Sequence, residues 1–435
     1  MMYRKIFRLA LPNIISNITV PLLTLVDLGL AGRMGASSTI GAVSVAVGVV
    51  NFVVWLFAFL RMGSTGFTAQ AYGRSDVRDI CLQLTRGLFF AVAGGFLIIL
   101  LRPVLYDLSG LISAGRQEIS DQALDYLRVA FLGAPAALSL YVLNGWFIGM
   151  QNTRVIMAVA ILQNLINIGL SVAFVVRFHF GVGGLALGTV LAQYSAVFML
   201  LVAGVLKYRR ILRFIRWQDM FSTHRIRQYL RISVDLIIRT GLLSCVTLFF
   251  TYAGTKIGTD AVAANALLMQ LFTIFSYFLD GFAFAGEALT GRFIGEKKYD
   301  MLRQTVKNIF VIGWIMSFIT TVLYFLFPQG LLYLLTDEQE VIDYALHYAH
   351  WAALIPLCGF AAFLWDGIFV GATHSRAMRL TMIAGVTAFF VIYCSASVFG
   401  FLAESGLTIL WIAFLSYLLI RSLMGWYMGH KIVNK

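Results

Sequence analysis

Charged residues are scarce in this chain: they make up 12% of its 435 residues, whereas 60% are hydrophobic. Soluble globular proteins carry roughly 25% charged residues, so a soluble body of this length would lack the polar surface to cover itself. Each membrane-spanning helix needs about 20 mostly apolar residues. The composition therefore excludes an ordinary soluble protein and predicts an all-α integral membrane protein with room for about twelve spans.

Cysteines and enzyme motifs are also scarce. The four cysteines, Cys81, Cys245, Cys358 and Cys394, show no CxxC or other metal-ligand spacing, and we interpret them as reduced packing residues. The sequence contains no HExxH, GxSxG, Walker loop or DDxxD cluster. We therefore expect no enzymatic activity, no cofactor and no certain metal site. The lack of a nucleotide-binding loop also argues against a function that consumes a nucleoside triphosphate.

Long apolar stretches are abundant. The N-terminus is basic and then apolar, without a clean cleavage site after a short apolar core, so it predicts an uncleaved first helix. Twelve predicted spans follow one another, with approximate bounds of 6–31, 40–71, 82–105, 119–147, 154–177, 182–206, 227–253, 260–293, 302–326, 341–370, 376–400 and 405–430.

The net charge of +13 is distributed unevenly. Most of the 33 lysines and arginines lie at the two ends of the chain and in the even-numbered loops, and the largest block runs from Lys207 to Arg231. Positive charge marks the cytoplasmic side of membrane proteins. We therefore predict a multi-pass protein of the cell (inner) membrane with both termini in the cytoplasm, and we expect the basic block to contact anionic lipid rather than nucleic acid.

The two halves of the chain repeat each other. One constant offset, here called the repeat offset, places Gly145 on Gly367 and aligns the segments NGWFIGMQNTR and DGIFVGATHSR. Six spans per repeat give both copies the same orientation, which predicts two pseudo-twofold-related six-helix bundles with an axis along the membrane normal. Transporters with such repeats hold their substrate between the halves. The predicted domains are an N-lobe (1–206), a basic cytoplasmic linker (207–226) and a C-lobe (227–435).

Asp27 is an ionisable residue inside the first span. Charged side chains within a bilayer cost ~2.5–3.5 kcal/mol on insertion scales, and they usually face the protein interior or a watery cavity. A protonatable or cation-binding site is one interpretation, and a hydrated carboxylate near the interface is the other. The repeat counterpart of Asp27 is Phe249, so the bundle does not require an acid there, which favours function.

A second polar group lies on the fifth and sixth spans. Asn164, Asn167 and Ser171 share one helical face, because they are three and four residues apart. Asp27, Ser171 and Thr189 lie in the outer half of the bilayer by the span count, which predicts that these three share one polar pocket. For the asparagines and Thr189 alone, interhelical packing is the favoured alternative.

Further charged residues lie inside the predicted spans of both halves. Arg61 lies at a depth similar to that of Asp280, and Glu287 lies deeper toward the cytoplasm. If Arg61 pairs with one of these acids, the pair would serve either as a cytoplasmic gate or as static charge neutralisation within the bundle. Asp235 and Arg239 are four residues apart on one helix, a spacing that predicts mutual neutralisation.

The chain resembles the multidrug and toxic compound extrusion (MATE) family, and within it the DinF-like branch, over essentially its whole length. The motifs that carry the resemblance are LALPNIISNITVPLLTLVDLGLAGRMG, LRMGSTGFTAQAYG, GWFIGMQNTR, AANALLMQLF, YFLDGFAFAGEALTG and LWDGIFVGATHSR. The resemblance implies two six-helix lobes around a central cleft, with alternating access. It also implies efflux of amphipathic, often cationic or aromatic, organic compounds in exchange for protons or sodium.

The resemblance assigns roles to single residues. Asp27 matches the carboxylate of the first span, the proposed proton or cation site of the family. Pro12 matches the proline at which that helix is proposed to bend. Asn167 and Thr189 match polar partners of the carboxylate, and Tyr126 matches a further member.

Departures from the family pattern favour protons over sodium as the coupling ion. Ser171 stands where some members have a second carboxylate, which argues against a coupling scheme that needs two acids in the N-lobe. The seventh span lacks the glutamate of sodium-type members, although Asp366 matches their aspartate in the tenth span. Sodium remains the alternative ion.

Three other functions predict features that the sequence lacks. A lipid-linked precursor flippase of the same broad superfamily predicts several buried arginines, for which only Arg61 and Arg239 are candidates. An intramembrane transferase predicts clustered aspartates for a metal, and a structural scaffold needs no isolated acid such as Asp27. The expected partners are the lipid bilayer and small organic substrates, and a monomer would suffice.

Overall fold

The computed structural model describes residues 2–32, 34, 37–112, 117–214, 223–399 and 402–433, and this part of the chain is helical with no β-strand. The all-α fold predicted from composition is therefore confirmed. The α-helices of the described part are α1 (Met2–Gly32), α2 (Ser37–Trp55), α3 (Phe59–Gly73), α4 (Val77–Leu100), α5 (Arg102–Ile112), α6 (Gln117–Ala130), α7 (Ala134–Gly149), α8 (Thr153–Val172), α9 (Gly181–Leu212), α10 (Thr223–Ile257), α11 (Thr259–Gly295), α12 (Tyr299–Leu326), α13 (Pro328–Tyr333), α14 (Gln339–Gly371), α15 (Ser375–Val398) and α16 (Leu402–Val433).

The predicted spans correspond to these helices. Eleven helical segments of the described residues are long and apolar enough to cross a membrane, and α1, with 31 residues, covers the first predicted span. The second span is divided into α2 and α3 by a short turn, and the fourth into α6 and α7 by the 3-10 turn Phe131–Gly133. The fold thus contains the twelve predicted spans.

Prolines lie where the helices are interrupted or open to bending. Pro135 stands in the first turn of α7, where a missing N–H breaks no intrahelical bond. Pro12 and Pro21 lie inside α1, and Pro356 lies inside α14. Each of these three removes one backbone hydrogen bond from the helix interior. The helix α1 therefore has two weak points within its length.

The internal repeat is visible in the packing of glycines. A Cβ atom on Gly145 of α7 would lie 2.4 Å from the carbonyl oxygen of Arg61 in α3, and a Cβ on Gly367 of α14 would lie 2.4 Å from that of Ala283 in α11. The repeat offset relates both pairs. In each half, the backbones of two helices touch at a point that only glycine permits.

The turns repeat as well. Ser75 and Lys297 both have a φ angle of 56°, while Gln151 and Thr373 have φ angles of 58° and 54°. The left-handed region is costly for residues with a Cβ atom, yet both pairs of repeat counterparts adopt it. The duplication predicted from sequence therefore extends to the conformation of single residues.

The chain forms two compact units: the N-unit, Leu11–Ser233, and the C-unit, Met1–Ala10 with Val234–Lys435. Phe7, in the first turns of α1, packs edge-on against Phe282 of the C-unit, with ring centroids 5.6 Å apart. Tyr229, in the first turns of α10, stacks on Phe90 of the N-unit, with centroids 5.3 Å apart. Each unit thus includes the start of a helix that continues in the other unit.

The unit boundaries fall inside helices. One lies between Ala10 and Leu11 in α1, one residue before Pro12, and the other lies between Ser233 and Val234 in α10. The predicted division at the 207–226 linker stays a prediction, since residues 215–222 lie outside the described part.

Candidate functional site

Asp27 lies in the last turns of α1 and is partly buried. Its Oδ1 atom is buried and accepts no hydrogen bond within the described part of the chain. A buried polar atom without a partner costs about 1–3 kcal/mol, and more when it is charged. The local structure therefore leaves one carboxylate oxygen available for a proton or a cation.

A hydrogen-bonded polar network joins α8 and α9. The side-chain amide of Asn167 donates to the hydroxyl of Thr189 at 2.9 Å. The hydroxyl of Ser171 donates to the Oδ1 atom of Asn167 at 3.4 Å, and Thr189 donates in turn to the carbonyl of Leu185 at 3.2 Å. Asn167 and Ser171 are both buried, and these hydrogen bonds pair their polar side-chain atoms inside the helix bundle.

Tyr126 of α6 connects this network to Asp27. Its side chain is buried, its hydroxyl interacts with the side chain of Thr189, and Asp27 is close enough to interact with it electrostatically. Four of the predicted site residues, Asp27, Tyr126, Thr189 and Asn167, are therefore brought together by three helices and by α1.

Gly188 allows α8 and α9 to approach closely enough for this network. A Cβ atom on Gly188 would lie 2.6 Å from the Oγ of Ser171 and 2.9 Å from its backbone nitrogen. The close approach places Thr189, the next residue, beside Asn167. It also leaves Ser171 no room to be larger, because its side chain is fully buried. A carboxylate at position 171 would therefore push the two helices apart.

Asn164 contacts α1 instead of the Asn167–Thr189 pair. Its amide donates to the carbonyl of Thr19 at 3.3 Å, between Pro12 and Pro21 in the sequence. Asn164 thus ties α8 to the part of α1 that the two prolines weaken. Pro12 itself is buried, and its carbonyl accepts a hydrogen bond from the Ser16 hydroxyl at 2.9 Å.

The C-unit has an aromatic cluster where the N-unit has these polar residues. The repeat offset relates Asp27 to Phe249, Asn167 to Phe389, Ser171 to Tyr393 and Thr189 to Trp411. The ring of Phe249 lies 5.8 Å from that of Phe389 and 5.0 Å from that of Tyr393. One half therefore fills this place with aromatic rings, and the other fills it with a carboxylate, an amide and hydroxyl groups.

Asp366 in the C-unit is held by two arginines. It accepts hydrogen bonds from Arg239 of α10 and, at 2.9 Å, from Arg421 of α16. Arg421 also donates to the hydroxyl of Tyr417 at 2.9 Å. Two guanidinium groups around one carboxylate leave a surplus of positive charge, so the cation partners of Asp366 are already part of the protein.

The predicted pairing of Asp235 with Arg239 is wrong. Asp235 instead accepts hydrogen bonds from the hydroxyl of Ser375 at 2.7 Å and from the guanidinium of Arg379 at 2.6 Å. The spacing of four residues allows a pair within one helix, but α15 presents two donors to Asp235. Arg239 turns to Asp366 of α14, where the two form a salt bridge between partly buried side chains.

The remaining predicted charges fall in different units. Arg61 lies in the N-unit, and Asp280 and Glu287 lie in the C-unit. Glu287 is buried, while Arg61 and Asp280 are partly buried. The cross-half pair stays a prediction.

Two further arginines are buried, although the sequence did not single them out. Arg86 of α4 is 2% exposed and Arg421 is 4% exposed, yet both stand near basic chain segments of the kind that mark the cytoplasmic side. Their position inside helices α4 and α16, several residues from the ends, is the signal that could have identified them. The described residues contain no cluster of three or more histidine, cysteine or acidic side chains arranged for a metal ion.

The family model named MatE matches residues 12–173 and 236–395, one region in each half of the chain. This chain belongs to the MatE family. The resemblance drawn from the sequence motifs is thereby confirmed, and family membership makes the chain a multi-pass membrane transporter rather than an enzyme.

Similar proteins agree with this assignment. The DNA damage-inducible protein F of Escherichia coli (strain K12) is 34% identical over 97% of this chain and 90% of its own length. The multidrug resistance protein MdtK of Proteus mirabilis (strain HI4320) is 23% identical over 86% of this chain and 83% of its own length. The fold is similar to that of a solved multidrug resistance MATE family transporter, which was determined in its own outward-facing conformation; the TM-score is 0.89 at 20% identity, over 100% of this chain and 96% of the other.

Proposed function

We propose that this MatE-family protein exports amphipathic organic compounds, cationic or aromatic, in exchange for protons, and that Asp27 is the coupling carboxylate. The single observation that carries the proposal is the buried Oδ1 atom of Asp27, which accepts no hydrogen bond in the described part of the chain. An ionised carboxylate oxygen in that position is costly. A bound proton would remove the cost, and its release would restore it.

The neighbours of Asp27 support this role. Tyr126 interacts with both Asp27 and Thr189, and Thr189 is bonded to Asn167. A change of charge at Asp27 would therefore alter the interactions between side chains of α6, α8 and α9, because one polar network connects them. The C-unit replaces this network by packed aromatic rings, so the coupling chemistry belongs to the N-unit alone.

The surroundings of Asp366 favour protons over sodium. The sequence resemblance matches Asp366 to an aspartate in the tenth span of the sodium-type members of the family. Here the carboxylate is bonded to Arg239 and Arg421. Guanidinium groups keep their charge at all physiological pH values, so a sodium ion would have to compete with two permanent internal cations.

The conformational step we propose is a bend of α1 at Pro12. Proline lacks the N–H that would complete the helix at this point, and the boundary between the two units falls one residue before it. Protonation of Asp27 would let α1 change its bend and alter the N-unit cavity, which would release the compound. In the proposed orientation, both termini lie in the cytoplasm. The protein would act as a monomer in the inner membrane.

The lipid-linked precursor flippase is less well supported. That function needs arginines free to hold a pyrophosphate. Arg239 and Arg421 are buried, but both are bonded to Asp366. Arg86 is buried in the N-unit, close enough to Tyr229 to interact electrostatically.

The test is exchange in sealed vesicles. The purified protein would be reconstituted into liposomes loaded with a cationic aromatic dye, and dye movement would be followed under an imposed proton gradient or an imposed sodium gradient. We expect the proton gradient alone to drive the wild type, and we expect Asp27→Asn to lose at least about tenfold in rate, since general proton-transfer groups contribute on that order or more.

Asp125→Asn is the matched control. It makes the same chemical change at an exposed carboxylate of α6, which pairs with the exposed Arg128. This variant should exchange dye like the wild type. Proton-driven exchange by Asp27→Asn at the wild-type rate, or exchange driven by sodium alone, would show that the coupling assignment is wrong.

A further inference from the structure

One face of α12 forms a groove with the neighbouring helices α14 and α16 in the C-unit. The groove has a volume of about 510 Å³. Six of the side chains that line it define two parts. Arg303 and Lys307 form the basic end, and the aromatic wall consists of Phe310, Trp314, Phe360 and Trp426. The α12 members recur every three or four residues, so they line a single face of that helix.

The basic end lies next to the start of α12. Arg303 is four residues, about one helical turn, after the first residue of α12, Tyr299. Lys307 follows one turn later, is exposed and forms no ion pair in the described part of the chain. Arg303 contacts Asp300 at 3.4 Å, but the carboxylate of Asp300 is 98% exposed, and such pairs bind weakly. The exposed ammonium group of Lys307 therefore gives this end of the groove a positive charge without an ion-pair partner among the described residues.

The aromatic wall continues into the membrane. The ring of Phe310 lies 4.5 Å from that of Trp426 and 6.3 Å from that of Phe360. Trp314 is 54% exposed. It follows Arg303 by eleven residues, a rise of about 16 Å along the helix. One leaflet of a bilayer is about 15 Å of hydrocarbon, so the groove is as long as one acyl layer.

The internal repeat shows that the helix bundle does not require this chemistry. The repeat offset relates Arg303 to Cys81 and Lys307 to Thr85, and neither counterpart is charged. The counterpart of Trp426 is Gly204. Tryptophans that anchor a helix lie at the membrane interface, whereas Trp314 lies about 16 Å from the basic end. The combination is therefore specific to the C-unit.

We propose that this groove binds an anionic phospholipid, with the phosphate at Arg303 and Lys307 and an acyl chain along Phe310 and Trp314. Basic pockets between membrane helices on the cytoplasmic side suit anionic headgroups, and the exposed aromatic wall suits an apolar chain. A soluble anion would use only the basic end. The leaflet, but not the binding itself, rests on the orientation proposed above, in which the start of α12 faces the cytoplasm.

The bound lipid would contact aromatic side chains that pack against the residue next to Asp366. Trp426 packs against Trp365, with ring centroids 5.4 Å apart, and Phe310 packs against Trp365 at 5.0 Å. Trp365 precedes Asp366 in the sequence. The lipid would thus stabilise the packing of α12, α14 and α16 around the buried charge group.

The experiment uses the full-length protein purified in a neutral detergent. Phosphatidylglycerol and phosphatidylcholine with identical acyl chains would be titrated separately, and bound lipid would be counted by native mass spectrometry. The test variant is Arg303→Gln with Lys307→Gln. The control is Arg102→Gln with Arg177→Gln, which removes the same charge from two exposed positions of the other unit, outside the basic block.

We expect the wild type and the control to prefer phosphatidylglycerol, and the test variant to lose that preference by roughly 30-fold, since each basic residue near an anionic surface contributes about fivefold. Helix content measured by circular dichroism should be unchanged, which separates loss of binding from loss of folding. Trp314→Ala, which leaves both charges, should weaken binding of both lipids.

Two results would overturn the proposal. One is a test variant that retains the wild-type preference for phosphatidylglycerol while the control behaves as expected. The other is equal protection against thermal unfolding by inorganic phosphate and by phosphatidylglycerol, which would make the site an anion site without a lipid chain. Neither result depends on dye transport, so the lipid site and the coupling role of Asp27 are tested separately.

Discussion

The carboxylate of Asp366 accepts a hydrogen bond from the guanidinium of Arg239, which lies 127 residues away in the chain. The pair joins α10 to α14 inside the C-unit, and Arg421 of α16 completes it. This arrangement gives the C-lobe acid a structural partner. Asp366 differs in this respect from Asp27, whose buried Oδ1 atom has no hydrogen-bond donor in the described part of the chain.

Asp366→Asn should destabilise the protein. The substitution leaves two buried guanidinium groups without a negative charge, and breaking a buried ion pair on one side costs about 3–5 kcal/mol. The measurement is the thermal unfolding midpoint in detergent, which should fall by several degrees. Asp300→Asn, at a carboxylate that is 98% exposed, should leave the midpoint unchanged. A midpoint for Asp366→Asn equal to that of the wild type would contradict the structural role.

Thr189→Val should weaken coupling and stability together. Valine keeps the shape of threonine but cannot accept the hydrogen bond from Asn167, so a buried amide loses its partner at a cost of about 1–3 kcal/mol. Proton-driven dye exchange and the unfolding midpoint would both be measured, and both should fall. Thr247→Val on α10, where the hydroxyl is exposed and bonds to its own helix, is the control. Unchanged exchange by Thr189→Val would exclude the network from coupling.

Gly145→Ala and Gly367→Ala should each impair folding. A Cβ at either position would lie 2.4 Å from a backbone oxygen of a neighbouring helix, so the helices must separate, and overpacking of this kind costs about 1–3 kcal/mol or more. The yield of folded protein from membranes and its thermal midpoint would show the effect. Gly241→Ala in α10, with nothing within 4 Å of the added atom, should be neutral or slightly stabilising. Tolerance of both core substitutions would contradict the close helix contacts.

Pro12→Ala should slow export without unfolding the protein. Alanine restores the backbone N–H that proline lacks and straightens the helix at the boundary between the two units. We expect proton-driven dye exchange to fall while the thermal midpoint stays the same or rises. Pro135→Ala, at the start of α7, removes a proline from a position that does not interrupt a helix. If Pro12→Ala exported dye at the wild-type rate, a bend at this residue would not be part of the cycle.

Several features of this protein were predictable because they depend on short stretches of sequence. The twelve apolar stretches set the spans, since a helix in lipid must satisfy its own backbone and expose apolar side chains. The repeat offset identified Gly145 and Gly367 as counterparts, and the structure shows that they meet the same backbone position. The grouping of Asp27 with Asn167 and Thr189 followed from helical spacing and from the family resemblance.

Other features depend on how distant helices pack. Sequence spacing paired Asp235 with Arg239, but tertiary packing presents Ser375 and Arg379 to Asp235. Arg421 looked like a cytoplasmic charge near the C-terminus, yet it is buried against Asp366. Hydropathy and periodicity describe only one span-length stretch of chain at a time, and they determined which segments cross the membrane. The partner of each buried charge was decided by the tertiary structure, because only helix packing brings together groups that are far apart in the chain.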